Sequence, residues 1–173
     1  IIPQPRAVEP NNWQSARSIE TDISFQNTIE IAGSELTINV TSQDLVGAPH
    51  LQIYINSDNK PETGFQFRNE AWEESGVDYL VQDGSFFKSA QNSTAWDWNA
   101  ISGDNSYTIN DDTAIAKIDL SLLGGICNNV KVGVMIRDEF WDISTFSPAS
   151  SHMQNFTVAY CNTETPDTVK PTI

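Results

Sequence analysis

The stretch that decides the fold lies between residues 51 and 87. It reads LQIYINSDNKPETGF over 51–65 and, after a gap, GVDYLVQDGSFF over 76–87. An apolar run enters a loop of oxygen-bearing side chains, and two further apolar runs are separated by Asp-Gly. Asn, Asp, Pro and Gly between apolar runs predict strand, loop, strand, turn and strand.

Alternation of apolar and polar residues with period two extends this pattern over the rest of the chain. It is clearest in LTINVT at 36–41, AIAKIDL at 114–120, VKVGVMI at 130–136 and FTVAY at 156–160. No stretch has a sustained helical period. The sequence therefore predicts about ten strands in an all-β fold, a two-sheet antiparallel β-sandwich of immunoglobulin-like or jelly-roll-like type. The remaining predicted strands are 29–32, 51–55, 77–82, 85–89, 94–98 and 106–109.

The 51–87 stretch resembles a strand-loop-strand of secreted β-sandwich modules, the DOMON and family-9 carbohydrate-binding group, with weaker similarity at 130–148. The pattern of that group is apolar-D-x-D-N-x-P-x-T-G-aromatic, followed by G-A-D-Y-apolar. In this chain Asn56 replaces the first Asp and Val77 replaces the Ala. The resemblance implies a secreted or cell-surface binding module.

The length of 173 residues predicts one β-sandwich domain, residues 13–161. Prolines make residues 1–12 linker-like, and residues 162–173 form a Thr, Pro and Asp-rich tail. Such ends are typical of a module within a larger multidomain chain. A simple frayed terminus is the alternative.

The formal net charge of −14, with only nine Lys and Arg, excludes nucleic acid and anionic membranes as partners. An acidic surface favours either cation binding or simple solvation. The sequence has no run of 18 apolar residues, so it predicts no membrane insertion.

Cys127 and Cys161 are the only cysteines. We expect them to form a disulfide that joins the last strand to the body of the domain, which places the protein in a secreted, extracellular or periplasmic setting. Two buried free thiols are the alternative. Two cysteines this far apart make a poor zinc site.

The loop after residue 55 is a candidate calcium site. Ca²⁺ is bound by six to eight oxygen atoms from carboxylates, amides and carbonyls. The spacing is not that of an EF-hand. The alternative is an Asx turn without metal. The predicted ligands are Asn56, Asp58, Thr63 and Asp78. A second acidic cluster, DEFWD at 138–142, could contribute to the same or another ion.

Aromatic side chains provide candidate carbohydrate contacts, because an exposed ring can stack on the apolar face of a pyranose. Trp96 and Trp98 are two apart and share one face of a predicted strand. Trp72 and Trp141 lie among charged residues, which favours exposure over burial. Indoles in the core are the alternative for all four. The hydroxyl contacts would come from Arg68, Asn69, Glu73 and Asp97.

The sequence carries no motif of a known catalytic site. It has no G-x-S-x-G, H-E-x-x-H or glycine-rich phosphate loop, and a carboxylate pair such as Glu70 and Glu74 is easy to imagine in so acidic a chain. Some relatives of this fold bind haem, but the spacing of the candidate ligands does not favour it. These are His50, Met135, His152 and Met153.

The sequence as a whole indicates a non-catalytic module that binds a polysaccharide or other glycan and has a structural calcium ion. It could be an accessory part of a polysaccharide-degrading enzyme. The first alternative is a protein-interaction or adhesion module of a surface assembly. The second is a haem-bearing electron-transfer domain.

Overall fold

Eleven β-strands make up most of the regular structure in the described part of the chain. In this computed structural model they are connected by turns and by two short 3-10 helices, Gln43–Leu45 and Leu120–Leu122. No helix among the described residues is long and apolar enough to cross a membrane. The strands are β1 (Gln26–Ala32), β2 (Glu35–Thr41), β3 (His50–Asn56), β4 (Tyr79–Gln82), β5 (Ser85–Ser89), β6 (Trp98–Ile101), β7 (Asn105–Asn110), β8 (Thr113–Asp119), β9 (Cys127–Arg137), β10 (Ile143–Ser147) and β11 (Gln154–Cys161). The structure describes residues 6–11, 19, 24–47, 50–68, 71–102 and 105–162.

The strands form two antiparallel sheets. The smaller has the order β1-β2-β8-β7, and the larger has the order β10-β9-β3-β4-β5-β6. Because β9 is 11 residues long, its first part pairs with β11 and its last part with β10. The prediction of an all-β, two-sheet antiparallel sandwich is confirmed.

A first hydrophobic core lies between the two sheets, where the period-two pattern predicts it. Leu36, Ile38 and Val40 of β2 are fully buried there, opposite Ile53 and Ile55 of β3. The intervening residues of β2 remain half-buried on the other face of the smaller sheet.

A second hydrophobic core covers the outer face of the larger sheet. Tyr54, Leu80 and Met135 point to this face and are fully buried. The chain between β3 and β4 folds back over them and contributes Phe65 and Phe67. Every residue of β3 after His50 is therefore buried, and this strand does not show a solvent-facing side.

Trp72 belongs to this second core, so the prediction that it is an exposed ligand-binding ring is wrong. It is 0% exposed, and its indole N–H donates to the carbonyl oxygen of Pro148 at 3.0 Å. The charged neighbours do not prevent burial, because Glu73 is only half-buried and Glu74 is exposed. The backbone turns Trp72 inward while these carboxylates stay near water.

The strand predicted at 94–98 is also wrong. Residues 94–97 form a loop, and β6 begins only at Trp98. The side chain of Ser93 accepts a hydrogen bond from the N–H of Ala95 at 3.2 Å, which closes a local turn. β10 is a strand that the sequence did not predict, because its burial does not alternate regularly.

The prediction of a linker-like N-terminus is wrong for residues 6–11, which we call the N-terminal strap. The strap crosses the outer face of the larger sheet. The N–H of Val8 donates to Gln82 Oε1 at 2.8 Å, and the carbonyl oxygen of Val8 accepts from Gln52 Nε2 at 2.8 Å. Prolines had suggested a linker, but a segment without regular structure can still be bonded to a sheet. Residues 163–173 of the predicted tail lie outside the described residues.

Cys127 and Cys161 form a disulfide, as predicted. They occupy directly opposite positions on β9 and β11. The bond therefore fastens the last strand to the longest strand of the sandwich.

Candidate functional site

The loop between β3 and β4 brings three of the four predicted calcium ligands together. Asp58 and Asp78 border one cavity of about 240 Å³. The hydroxyl of Thr63 donates to Asp58 Oδ2 at 2.5 Å, and the N–H of Ser57 donates to Asp78 Oδ2 at 2.9 Å. The cavity thus has two carboxylates in its lining, together with Lys60 and Lys88, and Thr63 is bonded to one of the carboxylates from outside the lining.

The fourth predicted ligand, Asn56, holds the loop closed. Its Nδ2 donates to the carbonyl oxygens of Ser75 at 3.0 Å and Lys60 at 3.3 Å. Its Oδ1 is buried and has no hydrogen-bond partner among the described residues. Asn56 does not line the cavity that Asp58 and Asp78 share.

Burial raises the pKa of the Asp78 carboxyl to about 8, and the nearby Asp58 carboxylate adds to this shift. The hydrogen bond from Ser57 acts in the opposite direction but does not offset it. Two close carboxylates in this setting need either a proton or a cation to relieve their repulsion. No group of three or more His, Cys, Asp or Glu side chains fit to bind a metal occurs in the described ranges. Further ligands would have to be hydroxyl, carbonyl or water oxygens.

Two glycines are required by the path of this loop. A Cβ at Gly76 would lie 2.1 Å from the carbonyl oxygen of Lys60, and one at Gly64 would lie 2.2 Å from that of Val77. Both have positive φ, +50° and +85°. The loop is therefore built in one tight conformation by backbone contacts as well as by its carboxylates.

Trp96 and Trp98 border a depression of about 200 Å³ at the β6 edge of the larger sheet, which we call the tryptophan depression. Arg6, Ala7 and Asp97 complete its lining. The two rings pack edge to face with centroids 5.4 Å apart, and both are half-buried against the second core while Asp97 is exposed. Their shared face is as predicted, although a loop and not a strand produces it.

The two indole N–H groups of the depression differ. Trp96 donates to the carbonyl oxygen of Ala7 in the strap at 3.0 Å. The buried N–H of Trp98 has no acceptor among the described residues. A buried indole N–H normally has a partner, so the N–H of Trp98 is an exception among the described residues.

Trp141 lies in the turn between β9 and β10, away from the depression. Its ring stacks on His50 with centroids 3.5 Å apart and an interplanar angle of 16°. The guanidinium carbon of Arg137 lies 4.8 Å from its ring centroid. Trp141 is half-buried, so protein groups already cover part of the ring that was predicted to stack on a sugar.

The residues predicted to contact sugar hydroxyls lie in different places. Arg68 is exposed and Glu73 is half-buried, with its N–H bonded to Ser151 O at 2.7 Å. Asn69 lies outside the described residues. Asp97 is the one predicted hydroxyl-binding residue that the structure puts beside the indole pair.

The candidate haem ligands have different surroundings. Met135 and Met153 pack in the second core, His152 is exposed, and His50 stacks on Trp141. Two of the four candidate haem ligands are therefore core residues, one is a surface residue, and one is stacked on a tryptophan ring.

The solved structures to which this chain is similar include two of a family-9 carbohydrate-binding module from Caldicellulosiruptor kristjanssonii. The complex with glucose has 10% identity and a TM-score of 0.37, and the complex with cellotriose has 9% identity and a TM-score of 0.32. In both cases the similarity covers 98% of this chain and 96% of the other. The family is the one that residues 51–87 resemble. At such low identity and TM-score, the similarity does not say which residues of this chain bind a ligand.

No family model matches the chain, and no curated protein matches it.

Sequence reasoning missed two residues that shape this face. Arg137 ends an apolar strand and is 0% exposed, although Arg is rarely fully buried without a partner. Arg6 lies in the segment taken for a linker but lines the tryptophan depression. The position of Arg137 directly after the alternating 130–136 run is the one sequence feature that could have indicated its burial.

Proposed function

We propose that this protein is a secreted, non-catalytic carbohydrate-binding module whose sugar site is the tryptophan depression. The observation that carries the proposal is the combination of two half-buried indoles with Asp97 and Arg6 around one open hollow. The rings offer apolar surface to a pyranose, and the charged pair offers an acceptor and donors to its hydroxyls. The disulfide supports secretion. We also propose that the module belongs to a larger chain.

We further propose that calcium stabilises the loop between β3 and β4. The donors are the carboxylates of Asp58 and Asp78 and the hydroxyl of Thr63, which are hard oxygen ligands of the kind that Ca²⁺ prefers. Asn56 fits a supporting role, because its amide already closes the loop. The raised pKa of Asp78 means that, without a metal ion, the pair is relieved by a proton on Asp78, so calcium would take the place of that proton.

The sugar site is tested with Trp98→Ala. We expect it to abolish binding on an array of neutral oligosaccharides that includes cellotriose, because one of the two indole rings that line the depression is lost. Trp98→Phe, which keeps a ring, should retain part of the affinity. Lys117→Ala on the distant smaller sheet is the matched surface control. Undiminished binding by a folded Trp98→Ala protein would move the site elsewhere.

Calcium is tested by melting curves of protein first shown to be metal-free. In that form the stability contributed by Asp78 is present below the ordinary pKa of 3.8 and is lost as the pH rises to about 8. Each pH unit in this window lowers the unfolding free energy by up to about 1.4 kcal/mol. Calcium replaces the missing proton, so it should raise the melting temperature more at about pH 8 than at about pH 5. At a hundred times its Kd it contributes about 2.7 kcal/mol.

Asp78→Asn is the control for this experiment, because the amide can neither titrate nor bind calcium as a carboxylate. Its melting temperature should respond much less to calcium and to pH. Wild-type curves that coincide with and without calcium at both pH values would eliminate the calcium site and leave the sugar site untouched.

A further inference from the structure

Phe140 is the most exposed large apolar side chain in the described part of the chain. It is 69% exposed, against 53% for Val46 and 46% for Ile109. It lies in the turn between β9 and β10, next to Trp141. A single exposed apolar residue needs no explanation by itself, so the question is how the turn holds it.

The backbone on both sides of Phe140 is fixed by hydrogen bonds. Asp138 Oδ1 accepts from the N–H of Phe140 at 2.8 Å and from that of Asp142 at 3.0 Å. Asn11 Nδ2 of the strap donates to the carbonyl oxygen of Phe140 at 2.5 Å. The ring therefore projects from a turn whose own polar groups are satisfied.

The turn is held in a conformation that costs free energy. Trp141 has φ of +66°, which is unusual and unfavourable for a bulky residue. Its carbonyl oxygen accepts from Arg137 Nε at 2.9 Å, and its ring stacks on His50. Arg137 and His50 thus hold Trp141, with its left-handed backbone, in place. Phe140 is the large apolar side chain that this turn exposes.

The surroundings of Phe140 favour a sugar over a protein partner. A stable protein interface needs roughly 800 Å² on each side with an apolar centre. The other large exposed apolar side chains of the described residues, Val46 and Ile109, lie on different elements, after β2 and in β7. Stacking on a pyranose needs only one ring. The net charge of −14 and the adjacent Asp138 and Glu139 disfavour an anionic polymer.

We propose that Phe140 is a second contact for the same neutral polysaccharide chain that occupies the tryptophan depression. This inference rests on the proposed function. The strap connects the two places, because Ala7 is bonded to Trp96 and Asn11 to the 138–142 turn. The four Cα–Cα steps from Ala7 to Asn11 span at most about 14 Å. A polymer can therefore reach both contacts, and the proposal assigns a disaccharide to the tryptophan depression alone.

The test compares Phe140→Ala with Val46→Ala, a matched truncation of an exposed apolar side chain. Binding is measured to insoluble cellulose, xylan, mannan and chitin and to the corresponding disaccharides. A lost second contact lowers polymer affinity by roughly 100-fold, the lower end of the gain from linked contacts, and leaves disaccharide affinity unchanged. Phe140→Trp should restore polymer binding, and the melting temperature of all three variants should match the wild type.

The outcomes separate this inference from the proposed function. If the wild type binds a polymer and Phe140→Ala binds it as well as Val46→Ala does, the second contact is disproved and the tryptophan depression stands. If Phe140→Ala weakens polymer and disaccharide equally, Phe140 belongs to a single site and the two-contact inference is also wrong. If the wild type binds none of the four polymers or their disaccharides, the proposed function fails together with the inference.

Discussion

Trp72→Ala is expected to lower the free energy of unfolding by about 3–5 kcal/mol, the range for removing a large aromatic side chain from a core. The indole packs against Tyr54, Phe67 and Phe146 with ring centroids 5.4–5.9 Å away. It also lies on the backbone at Gly133, where an added Cβ would come within 2.7 Å of the ring. Truncation leaves a cavity under the loop between β3 and β4.

The loss of the indole N–H adds to the effect, because the carbonyl oxygen of Pro148 loses its donor. Equilibrium unfolding in denaturant measures the change. Trp72→Phe, which fills much of the volume but makes no hydrogen bond, should cost less than Trp72→Ala. The burial is refuted if Trp72→Ala changes stability by less than about 0.5 kcal/mol, the usual limit for a surface substitution.

Arg137→Ala is expected to lower the free energy of unfolding by at least about 3 kcal/mol and to release the N-terminal strap. The guanidinium donates to the carbonyl oxygens of Val8 (2.7 Å), Glu9 (3.0 Å) and Trp141, and to Gln52 Oε1. Burial lowers the pKa of Arg137, and the charge is met by these oxygens without an ion pair to a described carboxylate. Its removal takes a charged donor from each of these oxygens. The carbonyl oxygen of Val8 then keeps only Gln52 Nε2 as a donor, and Gln52 Oε1 keeps only the hydroxyl of Tyr54.

Hydrogen exchange at the amide of Val8 distinguishes loss of the strap from general destabilisation. In Arg137→Ala this amide should lose protection before the amides of β2, which lie in the other sheet. Arg137→Lys keeps the charge but not the planar set of donors, so it should recover only part of the stability. Equal protection of Val8 in wild type and Arg137→Ala would show that Gln52 and Gln82 hold the strap without the arginine.

The sequence by itself determined the β-sandwich, because period-two alternation is a local property of each strand. Leu36, Ile38 and Val40 identify the face between the sheets without reference to the rest of the chain. The same holds for Asp58 and Thr63, which are close in sequence and meet in the structure at 2.5 Å. The disulfide followed from the only two cysteines present.

Only the tertiary structure decided which aromatic rings are exposed. Alternation predicts that one face of a strand is apolar. β3 is buried on both faces, because the loop between β3 and β4 covers the second face. Trp72 is held by Pro148, 76 positions away, and Arg137 by Val8, 129 positions away. Contacts between segments so far apart leave no local period. Trp72 was therefore predicted to be exposed among its charged neighbours and is buried, while Phe140, beside Trp141, projects into solvent.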